Sequence, residues 1–184
     1  GHRRRSAAEP GEIGHRRMII RLERTGDEDA IGAVTAAAFA GQPYSDQSEP
    51  LIIERLRSAG VLALSLVAED DGVVIGHIAF SPVSLSGGEG RWYGLGPLSV
   101  MPDRQGKGTG SALVREGLNE LRTLEAAGCV LLGDPAYYGR FGFRNDHGLV
   151  LPDVPAQYFQ SLVLHGPEAS GIVAYHPGFY GSAP

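Results

Sequence analysis

The sequence predicts an α/β (α+β) fold in which helices cover a mixed, mostly antiparallel sheet. Residues 62–100 contain three apolar stretches, rich in Val, Leu and Ile and separated only by short turns, which is typical of an antiparallel meander. The third stretch leads into a glycine-rich loop, an amphipathic helix and a short apolar strand, which is typical of a parallel crossover. A chain of 184 residues has the size of one domain.

The first half of the chain predicts four strands and two helices. Thr25 and Glu28 have the spacing of a capping box, which predicts the start of the first helix. Ser48 is the predicted N-cap of the second helix, and Gly60 stops it. The predicted strands lie over residues 19–24, 62–69, 73–84 and 91–100, and the two helices end at Phe39 and Ala59.

The second half predicts a long helix, a short helix and further strands. The long helix begins at Gly106 and ends at Gly128, and Asp134 followed by Pro135 predicts the N-cap and first residue of the short one. The last two strands are expected to pair as a hairpin through a Gly-Pro-Glu turn. These later strands lie over residues 129–132, 158–164 and 171–175, and the apolar stripe of the long helix consists of Leu113, Val114, Gly117, Leu118, Leu121 and Leu124.

Residues 1–17 differ in composition from the rest of the chain. They contain five arginines and two glutamates with almost no apolar residue, and they lack the apolar region of a secretion signal. We expect a vector-derived or disordered basic extension here, and a single domain over residues 18–184. Without the extension, 11 basic and 19 acidic residues remain. This balance argues against nucleic acid as a partner and favours a cationic or amine substrate.

Composition argues against several other classes of protein. No apolar run approaches the roughly 20 residues needed to span a bilayer, so no membrane partner is expected. Cys129 is the only cysteine and cannot form an internal disulfide, which favours a reducing cytoplasm. No histidine, cysteine or acidic residues have the spacing of metal ligands, so no metal is expected.

The most informative stretch is the glycine-rich loop that follows residue 100. Gly106, Gly108 and Gly110 lie where a strand gives way to the long helix, and Lys107, the only lysine of the chain, lies among them. A helix N-terminus offers unpaired N–H groups and a favourable dipole, and glycines let an anion approach the backbone. The spacing fits neither a Walker loop nor the dinucleotide fingerprint. A different phosphate-bearing ligand is therefore predicted.

The spacing Gln-x-x-Gly-x-Gly, from Gln105 to Gly110, follows a strand that ends in Leu-Ser-Val. It resembles motif A of the GNAT N-acetyltransferase superfamily, whose members bind the pyrophosphate of acetyl-CoA on this loop. The resemblance implies a GNAT fold with a central sheet of about six to seven strands, one of them bulged and splayed, and about four helices. It also implies that acetyl-CoA is bound by Leu98, Ser99, Val100, Gln105, Gly106, Lys107, Gly108, Thr109, Gly110 and Ser111.

Gly94, Gly96 and Pro97 interrupt the strand that precedes this loop. Proline cannot donate to a ladder and interior glycine marks a bulge, so strand pairing should be broken here. In the GNAT family the strand splays from its neighbour and leaves backbone groups free for the pantetheine arm. The resemblance implies that the N–H of Val100 polarises the thioester carbonyl. An ordinary edge strand is the alternative.

Tyr138, followed by Gly142 and Phe143, resembles motif B of the same superfamily, in which the tyrosine lies beside the CoA sulfur. The double tyrosine and the Arg-Phe-Gly-Phe sequence resemble a bacterial branch of predicted acetyltransferases. The resemblance implies that Tyr138 is the general acid that protonates the leaving thiolate. A structural Tyr138 is one alternative. Tyr137 is the rival candidate for the acid, although it is expected to pack in the core. The helix is shorter than is usual, which leaves open whether Asp134 contacts the cofactor.

Together the two motifs predict acetyl transfer from acetyl-CoA to a primary amine by direct attack in a ternary complex. The acceptor is expected to be a small-molecule or peptide amine, and a homodimer is left open. Glu69 and His77 are candidates for the general base, although neither lies in a motif. A CoA-binding sensor or partner module without turnover, or a transferase of a longer acyl group, are the alternatives. Residues that could line an acceptor pocket are Tyr158, Phe159, Phe179 and Tyr180, with the loop over 40–47 and the final hairpin selecting the acceptor.

Overall fold

The computed structural model of the chain describes residues 18–145 and 148–181, so the expectation for residues 1–17 lies outside the described residues. The described residues form a mixed sheet with helices on both faces. The strands are β1 (Met18–Leu22), β2 (Leu64–Asp70), β3 (Val73–Leu85), β4 (Trp92–Val100), β5 (Gly128–Leu132), β6 (Leu149–Val150), β7 (Phe159–Val163) and β8 (Gly171–Ala174). The helices are α1 (Glu28–Phe39), α2 (Glu49–Ser58), α3 (Thr109–Thr123) and α4 (Pro135–Tyr138).

Six strands form the main sheet in the order β1-β2-β3-β4-β5-β7. Its neighbouring strands are antiparallel except for β4 and β5, which are parallel and joined through α3. The mostly antiparallel sheet with one crossover confirms the fold class predicted from the sequence. It also brings the C-terminal end of β4 and the N-terminus of α3 to the same edge of the sheet.

The predicted hairpin of the last two strands is wrong. β7 pairs with β5 in the main sheet, whereas β8 pairs with β6 and with the end of β3. β3 is 13 residues long and extends beyond the main sheet, so that its last residues can pair with β8. Val173 of β8 is thereby buried in a cluster with Trp92 and Phe159, which gives its side chain a more complete apolar environment than an outer sheet edge.

The largest core lies between the sheet and α3. Phe80 of β3 packs there so closely on Gly117 that a Cβ at position 117 would lie 2.4 Å from its ring. The predicted stripe of α3 is buried except at its end, because the helix stops at Thr123 and Leu124 is 40% exposed. A smaller cluster, with Ile31 and Ile53 as members, holds α1 and α2 on the opposite face.

The start of α1 is not the predicted capping box of Thr25 and Glu28. Asp27 occupies the N-cap position, and its carboxylate accepts hydrogen bonds from the Arg21 guanidinium at 2.7 and 3.0 Å. The N–H of Arg24 donates to the same carboxylate at 2.7 Å. The hydrogen bonds from Arg21 hold the pKa of Asp27 down to about 2. The ion pair therefore fixes the first turn of α1 to the edge of the sheet.

Candidate active site

β4 carries the bulge that its sequence predicts. Gly96 and Pro97 stand opposite a single residue of β3, Ala79, and the peptide between them is cis. β5 pairs with β4 only over residues 92–94. Because β5 and β4 separate beyond this point, a cleft opens between them on the side of the glycine-rich loop.

The separation leaves one edge of β4 beyond Gly94 without a partner strand among the described residues. The N–H of Met101 donates to the carbonyl of Ile75 at 2.9 Å. Because hydrogen-bonding direction alternates along an antiparallel strand, Leu98 and Val100 present their backbone groups to the open edge. Ser99 instead faces β3 with its backbone, and its side chain is buried. The predicted contact of Ser99 with the cofactor therefore does not fit its position.

The glycine-rich loop connects β4 to α3 and has the geometry of an anion cradle. Gly106 and Gly108 have φ angles of 75° and 86°, a region that favours glycine. The Gln105 side chain donates to the carbonyl of Val100 at 3.1 Å and holds the start of the loop. The N–H groups of residues 108–111 make no hydrogen bond to any described residue. Such a row of free donors is what binds a phosphate at a helix N-terminus.

The charge at the start of α3 also differs from that of the other two long helices. α1 begins with Glu28 and Asp29, and α2 begins with Glu49. The first turn of α3 contains no acidic residue, although this helix, at 15 residues, is longer than both. The positive end of its dipole is therefore not neutralised by its own side chains, which favours a bound anion.

Three cavities follow one another along the cleft. The loop cavity of about 380 Å³ surrounds residues 104–111, the central cavity of about 850 Å³ lies between the separated strands, and the side cavity of about 300 Å³ lies between α2 and residues 175–180. Phe39, at the end of α1, lines all three. Leu98 lines the first two, and Pro97 lines the last two. The cavities thus form one continuous groove.

Most of the residues predicted to bind the cofactor meet in the loop cavity. Eight of those ten residues line it, and Ser99 and Lys107 do not. Lys107 lies in the same loop but is exposed to solvent. The sequence therefore identified a contiguous wall of the groove.

Six residues line the loop cavity in addition to the predicted cofactor-binding residues. They are Ala38, Phe39, Tyr44, Arg104, Tyr137 and Arg140. The Arg140 guanidinium lies 4.5 Å from the centre of the Tyr137 ring, and the Tyr137 hydroxyl lies 3.3 Å from Oγ of Ser111. The prediction that Tyr137 packs in the core is wrong, because its ring is needed to close the cavity over α3. The arginines could have been predicted from the sequence, because a glycine-rich loop that binds phosphate favours positive charge nearby.

Tyr138 lines the central cavity, and its ring contacts that of Tyr137 edge to face, with the ring centroids 4.9 Å apart. A Cβ at position 133 would lie 2.4 Å from the Tyr138 ring, so Gly133 makes the room that this ring occupies. Its hydroxyl makes no hydrogen bond to any described residue. Burial raises the pKa of Tyr138 above that of an ordinary phenol, which is already protonated at neutral pH. The hydroxyl therefore carries a proton and has no competing hydrogen-bond partner among the described residues.

Asp134 is the N-cap of α4, as the sequence predicted. Its carboxylate caps α4 by accepting from the N–H of Ala136 at 2.9 Å. The residue also lines the central cavity, close to Tyr138. Contact between Asp134 and a bound cofactor stays a prediction.

Neither candidate for the general base lies in the groove. Glu69 accepts a hydrogen bond from Arg21 at 3.0 Å, on the outer part of the sheet. His77 is fully buried, and its Nε2 lies 2.7 Å from Oγ of Ser65. Burial lowers the pKa of His77 to about 4. Neither residue lines any of the three cavities, so the assignment of a base role to either is not supported by its position.

The aromatic residues expected at the acceptor site divide among three places. Phe179 and Tyr180 line the side cavity, together with Tyr175. Tyr158 lines the central cavity, and Phe159 is buried in the core. The C-terminal segment therefore contributes to the side cavity, although through a 3-10 turn (Pro177–Phe179) after β8 and not through the predicted hairpin.

Metal binding and membrane insertion were considered for residues 18–145 and 148–181. Within these ranges, no group of three or more His, Cys, Asp or Glu side chains could hold a metal ion. No helix of this part of the chain is both long and apolar enough to cross a membrane.

Comparison with known proteins agrees with this geometry. The model of the acetyltransferase (GNAT) family matches residues 28–143. The Escherichia coli K12 protein described as the uncharacterized N-acetyltransferase YhbS is 42% identical over 128 residues, which are 69% of this chain and 74% of that protein.

Two solved structures are similar over nearly the whole chain. A GNAT family acetyltransferase from Brucella melitensis, in complex with acetyl-CoA, has 52% identity and a TM-score of 0.80, covering 90% of this chain and 99% of that one. Escherichia coli YhbS in complex with CoA has 35% identity and a TM-score of 0.83, covering 97% of this chain and 98% of that one. The chain belongs to the GNAT acetyltransferase family.

Proposed function

We propose that this protein transfers the acetyl group of acetyl-CoA to a primary amine by direct attack within a ternary complex. The observation that carries the proposal is the continuous groove. It joins a cradle of free backbone N–H groups, an unpaired edge of β4 and the free hydroxyl of Tyr138. These three features supply what a thioester of a phosphorylated carrier needs: a site for its phosphates, one for its amide arm and a proton for its leaving group.

In this proposal the pyrophosphate of acetyl-CoA binds at the N–H groups of the glycine-rich loop, over residues 106–111. Lys107 and Arg140 add positive charge around it, whereas Arg104 is paired with the carboxylate of Asp70. The amides of the pantetheine arm pair with Leu98 and Val100, as an added strand pairs with a sheet edge. The complexes of the Brucella relative with acetyl-CoA and of YhbS with CoA support this choice of donor.

The chemical step then needs two groups of this chain at the thioester. The N–H of Val100 stabilises the negative charge that develops on the carbonyl oxygen when the amine nitrogen attacks. The C–N bond forms, the C–S bond breaks, and the Tyr138 hydroxyl donates its proton to the sulfur. The proton that leaves the nitrogen restores Tyr138 or passes to solvent. Holding donor and acceptor in one groove contributes to the rate by fixing their approach.

Calorimetric titration with acetyl-CoA, CoA and NAD, followed by measurement of thiol release with a panel of amines, tests the proposal. Binding of the two CoA compounds without binding of NAD, together with amine-dependent thiol release, is the expected result. Binding without release for any amine would favour a CoA-binding sensor or partner module. Faster release from a longer acyl-CoA than from acetyl-CoA would favour the other alternative. Absence of CoA binding would contradict the proposal as a whole.

A further inference from the structure

The side cavity differs in chemistry from the rest of the groove. Its lining is apolar and aromatic, with Phe39 and Ile52 on the helix side and Tyr175, Phe179 and Tyr180 on the C-terminal side. Among the described residues that line it, Glu49 is the only one with a charge. A cavity with a single carboxylate in an apolar wall is suited to a ligand that has one cationic group and is otherwise apolar.

The two oxygens of the Glu49 carboxylate have different surroundings. Oε1 accepts a hydrogen bond from the hydroxyl of Ser45 at 2.6 Å. Oε2 is enclosed and has no hydrogen-bond partner among the described residues. An acidic residue in the first turn of a helix is stabilised by the dipole, which explains the presence of a charge but not the unpaired buried oxygen. Because Glu49 lines the side cavity, a rotation of its side chain would bring this oxygen to a ligand that supplies the missing donor.

The loop before α2 holds the Glu49 carboxylate in position. The backbone N–H of Gln47 donates to Oγ of Ser45 at 3.0 Å, and its side chain donates to the carbonyl of Phe39 at 2.6 Å. Gln47 has a φ of 66°, a left-handed conformation that costs free energy for a residue with a side chain. Ser48 follows at the predicted N-cap position, but its hydroxyl donates to Asp46 and makes no capping hydrogen bond to the helix. The network thus connects Glu49 to Phe39, the residue shared by all three cavities.

From these observations we infer that the side cavity binds a small primary monoamine with an apolar or aromatic substituent, held at its nitrogen by Glu49. The inference rests on the proposed function and adds the class of acceptor to it. Oε2 of Glu49 accepts a hydrogen bond from the ammonium group and then takes one of its protons, which leaves a neutral nitrogen with a free electron pair. That nitrogen attacks the thioester carbon, and the C–S bond breaks as the Tyr138 hydroxyl protonates the sulfur. The second proton of the nitrogen then restores the Tyr138 hydroxyl, and the proton on Glu49 passes to solvent.

The dimensions and position of the cavity agree with such a ligand. A volume of about 300 Å³ is at the lower limit of ligand pockets, which suits one ring or a short branched chain. Tyr180 is 72% exposed and Leu132 is 46% exposed, so apolar surface is available for a substituent to cover. The wall formed by Gly96 and Pro97 is shared with the central cavity, where the thioester is proposed to lie. An amine held by Glu49 therefore enters next to the reacting carbonyl.

Steady-state kinetics with 2-phenylethylamine, 3-methylbutylamine, spermidine, glucosamine and a lysine-containing peptide test this inference. We expect the two apolar monoamines to have the highest kcat/KM. Glu49→Gln should lower kcat/KM for them by about 10- to 100-fold, the effect of removing a hydrogen bond to a charged group, without changing the affinity for acetyl-CoA. Glu54→Gln, on the exposed side of α2, is the matched control and should behave as the wild type.

Two further measurements separate recognition of the amine from a merely structural role. In calorimetry the wild type should prefer 2-phenylethylamine to its neutral isostere 2-phenylethanol, and Glu49→Gln should lose this preference. Tyr180→Ala removes an exposed ring and should raise the KM of the apolar amines about 5-fold, within the range of a lost apolar contact, at an unchanged KM for acetyl-CoA.

The outcomes distinguish this inference from the function on which it rests. A protein that binds acetyl-CoA but acetylates spermidine, glucosamine or the peptide in preference, with Glu49→Gln as active as the wild type, overturns the inference and leaves the proposed function intact. A protein that does not bind acetyl-CoA removes both.

Discussion

The two ends of the groove are built in different ways. The loop end consists mainly of backbone groups from one continuous stretch, residues 98–111. The side end consists of side chains from α1, α2, the sheet and the segment after β8, which are far apart in the sequence. A donor common to a whole family can be bound by backbone that any related sequence reproduces, whereas an acceptor is selected by side chains. The comparison explains why one end could be predicted in detail and the other could not.

The largest effect is expected from breaking the loop end. Gly108→Glu places a carboxylate in the anion cradle, and we expect acetyl-CoA affinity to fall by at least about 100-fold, because a like charge replaces the attraction of the helix dipole. Isothermal titration calorimetry measures the affinity directly.

Gly60→Glu is the matched control for this variant. Both glycines have a positive φ, 71° at Gly60 and 86° at Gly108, and at both positions an added Cβ meets no atom within 4 Å. The two variants thus share the same backbone strain and the same added charge. If both lost the same affinity, or neither lost any, the assignment of residues 106–111 to the phosphates would be wrong.

The second effect separates the two tyrosines of α4, which lie on either side of the junction between the loop and central cavities. Tyr138→Phe should lower kcat by about 100-fold at an unchanged affinity for acetyl-CoA, because it removes a general acid. Tyr137→Phe should weaken acetyl-CoA binding only a few-fold, since it removes the hydroxyl beside Ser111. Single-turnover kinetics with both variants provide the test, and a reversal of the two phenotypes would exchange their proposed roles.

The third prediction tests whether His77, which lies outside the groove, takes part in catalysis. We expect His77 to affect the stability of the fold and not the rate of acetyl transfer. With a pKa of about 4 in the folded state, below its ordinary value of 6.5, it remains neutral there while the unfolded chain takes up a proton. The stability of the fold should therefore decrease as the pH falls, by about 2 kcal/mol between about pH 7 and pH 5 from this residue.

His77→Gln removes this titration. Urea unfolding at the two pH values should show a loss about 2 kcal/mol smaller in the variant than in the wild type. The pH profile of acetyl transfer should keep its shape. If His77→Gln changed the pH profile of acetyl transfer but not the pH dependence of stability, His77 would again be a candidate for the general base.

The smallest effect concerns α1, which carries Phe39 to the junction of the three cavities. Asp27→Asn weakens the pairing with Arg21 and should lower the free energy of unfolding at neutral pH by about 1 kcal/mol. The folded-state pKa of Asp27 is about 2, below its ordinary value of 3.8, so its contribution is complete above the ordinary value and is lost as the pH falls through about 2. Denaturation at neutral and strongly acidic pH measures this difference, and a variant as stable as the wild type at neutral pH would contradict it.

How far the sequence predicts the site depends on whether a residue acts through local geometry. Gly96 and Pro97 signal a bulge because neither can continue a regular ladder, and the glycines after β4 signal a cradle because of the conformations that they allow. These signals need no knowledge of distant contacts. Asp134 is a similar case, since capping of α4 involves only the next two residues.

The remainder depends on tertiary contacts that local patterns do not contain. Nothing in the sequence of β8 distinguishes pairing with β7 from pairing with the extended end of β3. Tyr137 and Tyr138 are adjacent and chemically identical, so their assignment to two different cavities depends on how α4 lies against α3 and β5. In the sequence, Glu49 is indistinguishable from an ordinary acidic residue at the start of a helix. Its unpaired oxygen is apparent only in the structure. The acceptor end was for this reason beyond the reach of the motifs.

The wall formed by Leu95, Gly96, Pro97 and Leu132, which the central and side cavities share, has a consequence for the order of events in turnover. A donor whose thioester lies against these residues contributes part of the surface that the acceptor meets. Occupancy of the two sites is then thermodynamically linked, and each ligand raises the affinity for the other by the same factor. Such reciprocity favours a sequential kinetic pattern in which both substrates are bound before the acetyl group is transferred.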